Sequence, residues 1–255
     1  MTETGVDAAV LLPVGGIGLS VEEVRQLWSF VHGEIMGGTM RGYLRASLGL
    51  CPRHAWGHAV VEVELWQAGA GARAGHQPFD VAVLYEDLLE LAAGSLLRAA
   101  TWLHPERSRA PVETRPCHIC RELAELPPPG FRLGYANSDS VVLAAEANRL
   151  VHTTAWCRET RRQWASAVCQ ECLGGIGTDP RRLCRRHLSA KGDIPREAGT
   201  AIAGQLLEIR GRLLRLIASM TDRGAPATAA EDASWIEALG WFAGWGLPIY
   251  LAGED

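Results

Sequence analysis

Lysine is nearly missing from this 255-residue chain: Lys191 stands alone, and the other 24 of its 25 basic residues are arginine. Any anion site must therefore be built from the planar guanidinium fork, not from an ammonium point charge. A long uninterrupted apolar run is also lacking. Residues 81–102 are broken by Glu86, Asp87, Glu90 and Arg98, and residues 236–252 carry Glu237, Gly240, Gly244, Gly246 and Pro248. Neither stretch reads as a membrane span. The N-terminus has no basic region, with Glu3 and Asp7 where positive charge would be needed. No secretory leader is expected, and a cytoplasmic location follows. Serine-hydrolase elbows, phosphate-cradling loops and dinucleotide fingerprints are absent as well. Gly15-Gly16-Ile17-Gly18 and Gly174-Gly175-Ile176-Gly177 lack the preceding strand that such motifs require.

The chain does hold 47% hydrophobic and 21% charged residues, the balance of a globular protein with one core or two intimately packed halves. It also holds seven cysteines. In a reducing compartment these point away from disulfides. Six of them fall in pairs or beside a histidine: Cys51-Pro-Arg-His54, Cys117-His-Ile-Cys120, Cys169-Gln-Glu-Cys172 and Cys184-Arg-Arg-His187. A two-residue gap lets both side chains turn onto one ion, about 2.3 Å from sulfur and 2.0 Å from nitrogen. Four pairs give eight ligands, the number two tetrahedral zinc sites need. Cys169 to His187 forms a compact knuckle with closing geometry. Cys51/His54 and Cys117/Cys120 need tertiary folding to meet, and a crossed pairing would use the same eight residues. An iron–sulfur cluster wants four cysteines, or two with two histidines, so the Cys-x-x-His pairs favour zinc. Unpaired Cys157 reads as a small core residue. His118, inside a Cys-x-x-Cys, is expected to be exposed.

The spacing predicts an all-α bundle of about seven helices, possibly two related halves, stapled by zinc. A flexible tail covers 1–19, a helical half 20–104, a linker 105–116 and a second half 117–255. Ser20 and Glu23 form a capping box before Val24, Leu27, Trp28 and Val31. A break is expected at Gly37-Gly38. Further helices start at Pro52, near Pro78, at Ser138 or Asp139, this one running through Leu150 and Trp156 to Trp164, and at Asp193 with Pro195. Breaks fall at 69–75 and 127–130. Val60-Val-Glu-Val-Glu64 is the one run that alternates like a strand. Leu50-Cys51-x-x-His54 and Leu183-Cys184-x-x-His187 form a weak internal repeat.

Gly49-Leu-Cys-Pro-Arg-His-Ala-Trp56, Leu84-Tyr-Glu-Asp-Leu-Leu89, the pair at 117–120 and Leu183-Cys-Arg-Arg-His187 resemble an uncharacterised bacterial helical family. That family, of actinobacterial type, has repeated CxxC and G-L-C-x-x-H-A-W elements. The similarity spans roughly residues 40–190. It implies metal and helices but no reaction. Its members carry an N-terminal CxxC that partners the first CxxH. None precedes Cys51 here, so the first site must borrow Cys117/Cys120 or Cys169/Cys172, or stay incomplete.

Charge is uneven. Residues 157–191 carry eight basic groups against three acidic ones in a chain of net charge −4. Arg181, Arg182, Arg185 and Arg186 are candidates for an anion site, although overall acidity argues against general nucleic-acid binding. The leading functional reading is a protein whose zinc is structural and which binds a small molecule or a protein partner. A zinc enzyme with an open position at Cys51/His54 is the alternative, with His58, Glu62 or Glu86 as base and the nine tryptophans around an apolar pocket. A zinc-containing regulator using the arginine cluster is the third.

Overall fold

Ser20 and Glu23 open the first helix, α1 (Val21–Val31), by capping each other. The Glu23 N–H donates to Ser20 Oγ at 3.1 Å, and the Ser20 N–H donates to Glu23 Oε2 at 2.7 Å. The computed structural model describes residues 17–31, 37–67, 78–98, 107–125, 139–221 and 224–253. Most of the expected tail, and the breaks at 69–75 and 127–130, lie outside those residues. Helices α2 (Gly38–Ala46), α3 (Pro52–Gln67) and α4 (Phe79–Arg98) precede a three-residue strand, β1 (Arg107–Arg109). Then come α5 (His118–Glu125), α6 (Ser140–Ala147), α7 (Val151–Glu159), α8 (Arg161–Trp164) and α9 (Arg185–Ala190). Strand β2 (Asp193–Pro195) pairs antiparallel with β1, Ser108 opposite Ile194. Helices α10 (Arg196–Ser219), α11 (Ala229–Asp232), α12 (Ser234–Ala243) and α13 (Gly246–Ala252) complete the chain. The described residues are predominantly helical, as the periodicity predicts.

Two local readings are corrected. The expected helix from 139 to 164 is three helices. Asp139 caps the first by accepting the Val141 N–H at 2.8 Å, and Leu150, at φ 56°, turns the chain before α7. Asp193 and Pro195 do not open α10; they form β2, and the helix starts at Arg196. The ambiguous run 60–64 lies inside α3, the helix expected from Pro52, and its alternation has a different cause. Glu62 and Glu64 are both buried in α3. Glu62 accepts the N–H groups of Asp80 (2.8 Å) and Val81 (2.9 Å) in the first turn of α4. Glu64 accepts those of His152 (3.2 Å) and Thr153 (2.7 Å) in the first turn of α7. Two residues apart on a helix, the carboxylates leave α3 about 200° apart and cap two helices on opposite flanks. Burial pushes the Glu62 carboxyl up to about 8.

The core is continuous across the 105–116 linker. Helices α4 and α10 pack along each other, α1 packs on α3 and α6, and α12 packs on α3 and α4. Tryptophans of the described residues help to fill this interior. Trp235 meets Trp56 and Trp156 edge to face at 6.3 and 5.9 Å, and Trp164 stacks on Trp245 at 6.0 Å. Three indole N–H groups find carbonyls: Trp56 donates to Gly244, Trp156 to Asp232 and Trp164 to Cys157, while the buried Trp235 N–H finds none among the described residues. No helix of the described residues is long and apolar enough to cross a membrane.

Candidate metal centres

Cys-x-x-Cys and Cys-x-x-His pairs work here because of where helices begin. The Cys51 carbonyl accepts the Ala55 N–H at 2.8 Å, so Cys51 caps α3 and His54 sits three residues into it. Cys117 caps α5 in the same way (Arg121 N–H at 3.1 Å), and Cys184 caps α9 (Leu188 N–H at 2.9 Å). In each case cap and third residue project from one side of the first turn. The Leu-Cys-x-x-His repeat seen in the sequence is thus a repeated structural step. The fourth pair, Cys169 and Cys172, lies on a turn closed by Leu173 and Gly175 N–H groups bonding back to Cys169 and Gln170. Gly177 completes this turn: a Cβ there would lie 2.4 Å from a Leu183 methyl carbon.

Folding brings the eight residues into two clusters of four. Cys51, His54, Cys117 and Cys120 form the first; Cys169, Cys172, Cys184 and His187 form the second. Within each, the four ligand atoms lie within 4.8 Å of one another. In the first, His54 Nδ1 is 3.3 Å from Cys51 Sγ, 3.3 Å from Cys120 Sγ and 3.6 Å from Cys117 Sγ, and Cys51 Sγ is 3.7 Å from Cys120 Sγ. In the second, His187 Nδ1 is 3.2, 3.7 and 3.3 Å from the sulfurs of Cys169, Cys172 and Cys184, and Cys172 Sγ is 3.9 Å from Cys184 Sγ. A tetrahedral ion about 2.3 Å from sulfur and 2.0 Å from nitrogen demands edges of about 3.8 Å between sulfurs and 3.5 Å from sulfur to nitrogen. In each cluster the three sulfur–nitrogen edges and the one sulfur–sulfur edge quoted lie near those values, and the remaining edges stay within 4.8 Å, so both can hold a metal ion with four protein atoms.

Electrostatics favours a cation there. Three thiols this close cannot all ionise alone. Hydrogen bonding from Cys51, which outweighs burial, holds the Cys117 thiol down at about 3, while Cys51 and Cys120 are pushed up. The second cluster repeats the pattern: Cys169 is held well below its ordinary range by its two neighbours, Cys172 is pushed up to about 11 and Cys184 goes far up. A divalent ion would let all three ionise together.

The surroundings differ. His54 Nε2 is 3.2 Å from Glu23 Oε1. The same carboxylate that caps α1 receives Arg53 at 2.6 and 2.8 Å, and Arg53 also reaches the carbonyls of Ile17 and Gly18. Burial opposes a charged His54, but the Cys117 sulfur and Glu23 outweigh it and raise the imidazole to about 9. A carboxylate behind a ligating histidine fixes the tautomer and raises its basicity. In the second cluster Glu171 stands 4.0 Å from His187 Nε2, beyond hydrogen bonding, and is engaged by Lys191 at 2.6 Å.

The candidate bases belong to neither cluster. His58 is fully buried one turn beyond His54, edge-on to Phe30 at 5.4 Å, without a hydrogen-bond partner among the described residues. Burial pushes it down to about 3. Glu62 caps α4, and Glu86 pairs with Arg210 at 2.6 Å. His118 is buried, not exposed, lying against Phe30 and Tyr43. Cys157 is a buried core thiol. Of the arginines, Arg181 is held by Asp179 at 3.0 Å, and Arg185 turns inward to Glu113 at 2.5 Å. Sequence reasoning missed Glu23 and Arg53 as supports of His54. The capping box already marked Glu23, but nothing in the sequence placed α1 beside the start of α3. No family model, curated protein or solved structure matches the chain.

Proposed function

We propose that this is a zinc-stapled helical protein, cytoplasmic, whose two ions are structural and whose role is to bind a small molecule or a protein partner. One observation carries the reading: each cluster presents four protein ligand atoms at tetrahedral spacing. A hydrolytic zinc needs an exchangeable fourth position, and a fourth protein ligand removes it. Three cysteines and one histidine suit zinc, whereas a cluster of iron and sulfide takes four cysteines or two with two histidines. The resemblance to the bacterial family with repeated CxxC and G-L-C-x-x-H-A-W elements belongs to the same proposal. Here the first CxxH is completed by Cys117 and Cys120.

Metal analysis of the purified chain tests it. Two zinc per chain are expected, and cobalt substitution should give the strong visible bands of tetrahedral thiolate sites. A brown protein with iron and acid-labile sulfide would overturn the assignment, as would a fully folded chain without metal.

A further inference from the structure

A cavity of about 430 Å³ opens between α8, α10 and α12, next to the second cluster. That is the size of a small-molecule site. Its floor is Trp241 and Trp245. Trp245 is held flat by stacking on Trp164, interplanar angle 28°, and it crosses Gly240, where a Cβ would lie 2.5 Å from the indole. The Trp245 backbone N–H bonds to the Cys172 sulfur, and Leu183, next to ligand Cys184, forms another part of the wall. The cavity is therefore built onto the knuckle.

Its polar groups are arginine-rich. Arg181, Arg182 and Arg212 line it, with Glu208 and Glu237 as the acids. Arg212 pairs with the buried Glu237 at 2.6 Å. Arg181 is committed to Asp179. Arg182, at the exposed edge, hydrogen-bonds nothing among the described residues through its side chain. On the inner walls two buried polar atoms find no partner among the described residues: Arg212 Nε, a donor, and Gln163 Oε1. Burial pushes the Glu237 carboxyl up to about 7, so near neutral pH the charge of Arg212 is only partly cancelled.

We propose that this cavity binds a small flat organic anion, an aromatic body against Trp241 and beside the edge of Trp245, with a carboxylate or phosphate on Arg182 and Arg212. Apolar contact with Trp241 supplies the contact area, and guanidinium–oxyanion hydrogen bonds supply the sign selection. The proposal deepens the binding role given above and rests on it, since the knuckle forms one wall.

The test titrates the full metal-loaded chain calorimetrically with 1-naphthoate, 1-naphthyl phosphate, neutral 1-naphthalenemethanol and cationic 1-naphthylmethylamine. At least one anion should bind once per chain with Kd below about 100 μM, and the neutral and cationic probes at least about tenfold more weakly. The preferred anion tells a carboxylate ligand from a phosphate ester. Arg182→Ala should weaken that anion about fivefold or more. Ala230→Trp, which caps the mouth from an exposed rim position, should abolish binding while leaving metal content unchanged. The proposal fails if neither anion saturates by about 1 mM, if the neutral or cationic probe binds equally well, or if Ala230→Trp leaves binding intact. Metal content of the same sample separates the two readings. A chain with two metals that ignores both anions overturns the cavity alone, whereas a folded, metal-free chain overturns the zinc assignment.

Discussion

Cys169 to His187 closes a candidate metal site within one short stretch, while Cys51 and His54 must wait for Cys117 and Cys120, with 62 residues between His54 and Cys117. Both sites present three sulfurs and one Nδ1 at the same spacing. They differ in what holds the ligands. The knuckle is self-contained: a turn, a 3₁₀ step at Pro180–Arg182 and the start of α9. The distant site joins α3 to α5 and enlists α1 through Glu23. The local site organises a loop; the distant site fixes the relative placement of three helices. A ligand pair adjacent in sequence needs little else, and a pair far apart needs the surrounding helices to define it.

That comparison can be broken by substitution. Structural zinc in small domains contributes about 10–16 kcal/mol, as much as the whole stability of a typical domain. Cys51→Ser and Cys184→Ser should each reduce bound metal from two ions to one and lower the melting temperature by well over 10 °C. The distant site closes the longer loop, so Cys51→Ser should cost about 1 kcal/mol more. Calorimetry on both variants decides it, and a larger loss for Cys184→Ser would reverse the ranking.

A peptide covering residues 165–192 should bind one cobalt ion with thiolate charge-transfer bands. A mixture of peptides 45–67 and 116–125 should not do so at micromolar concentration. If the mixture binds as well, the distant site does not depend on tertiary structure.

The supports sharpen the contrast further. Glu23→Gln should weaken metal at the first site about 10–100-fold, whereas Glu171→Gln should leave the second nearly unchanged. Competition with a chromophoric chelator reads both. The pH dependence follows from the same groups. Without metal, His54 is raised to about 9, and Cys51 and Cys120 are raised above their ordinary range. Near neutral pH all three hold protons that a metal must displace. Affinity at the first site should therefore rise with pH, by about three powers of ten per unit between pH 6 and 8, and metal should be lost on acidification. The smallest effect should come from Lys191→Ala, whose Glu171 ion pair is solvent-facing. A change within about 0.5 kcal/mol is expected by denaturant titration.

Much of this was legible beforehand, for particular reasons. Ser20 with Glu23, Pro52 and Asp139 announce helix starts because capping chemistry is local. Two-residue spacing marks all eight cluster residues because cap and third residue share a face of a helix's first turn in three pairs, and a tight turn does the same for Cys169 and Cys172. Local signals misled where a residue served something remote. The alternation at 60–64 blurred the periodicity of the Pro52 helix because Glu62 and Glu64 are buried to cap two other helices. His118 looked exposed, yet Phe30 and Tyr43 enclose it.

The sequence by itself determined the helical class, the ligand types and the closure of the knuckle, since periodicity, capping and short loops are properties of neighbouring residues. Only the tertiary structure decided that Cys51 and His54 meet Cys117 and Cys120, that Glu23 backs His54, and that arginines and tryptophans share a cavity beside the knuckle. Those arrangements join segments far apart in the chain, and packing of α1 on α3 and α5, and of α10 on α12, not any local preference, brings such segments together.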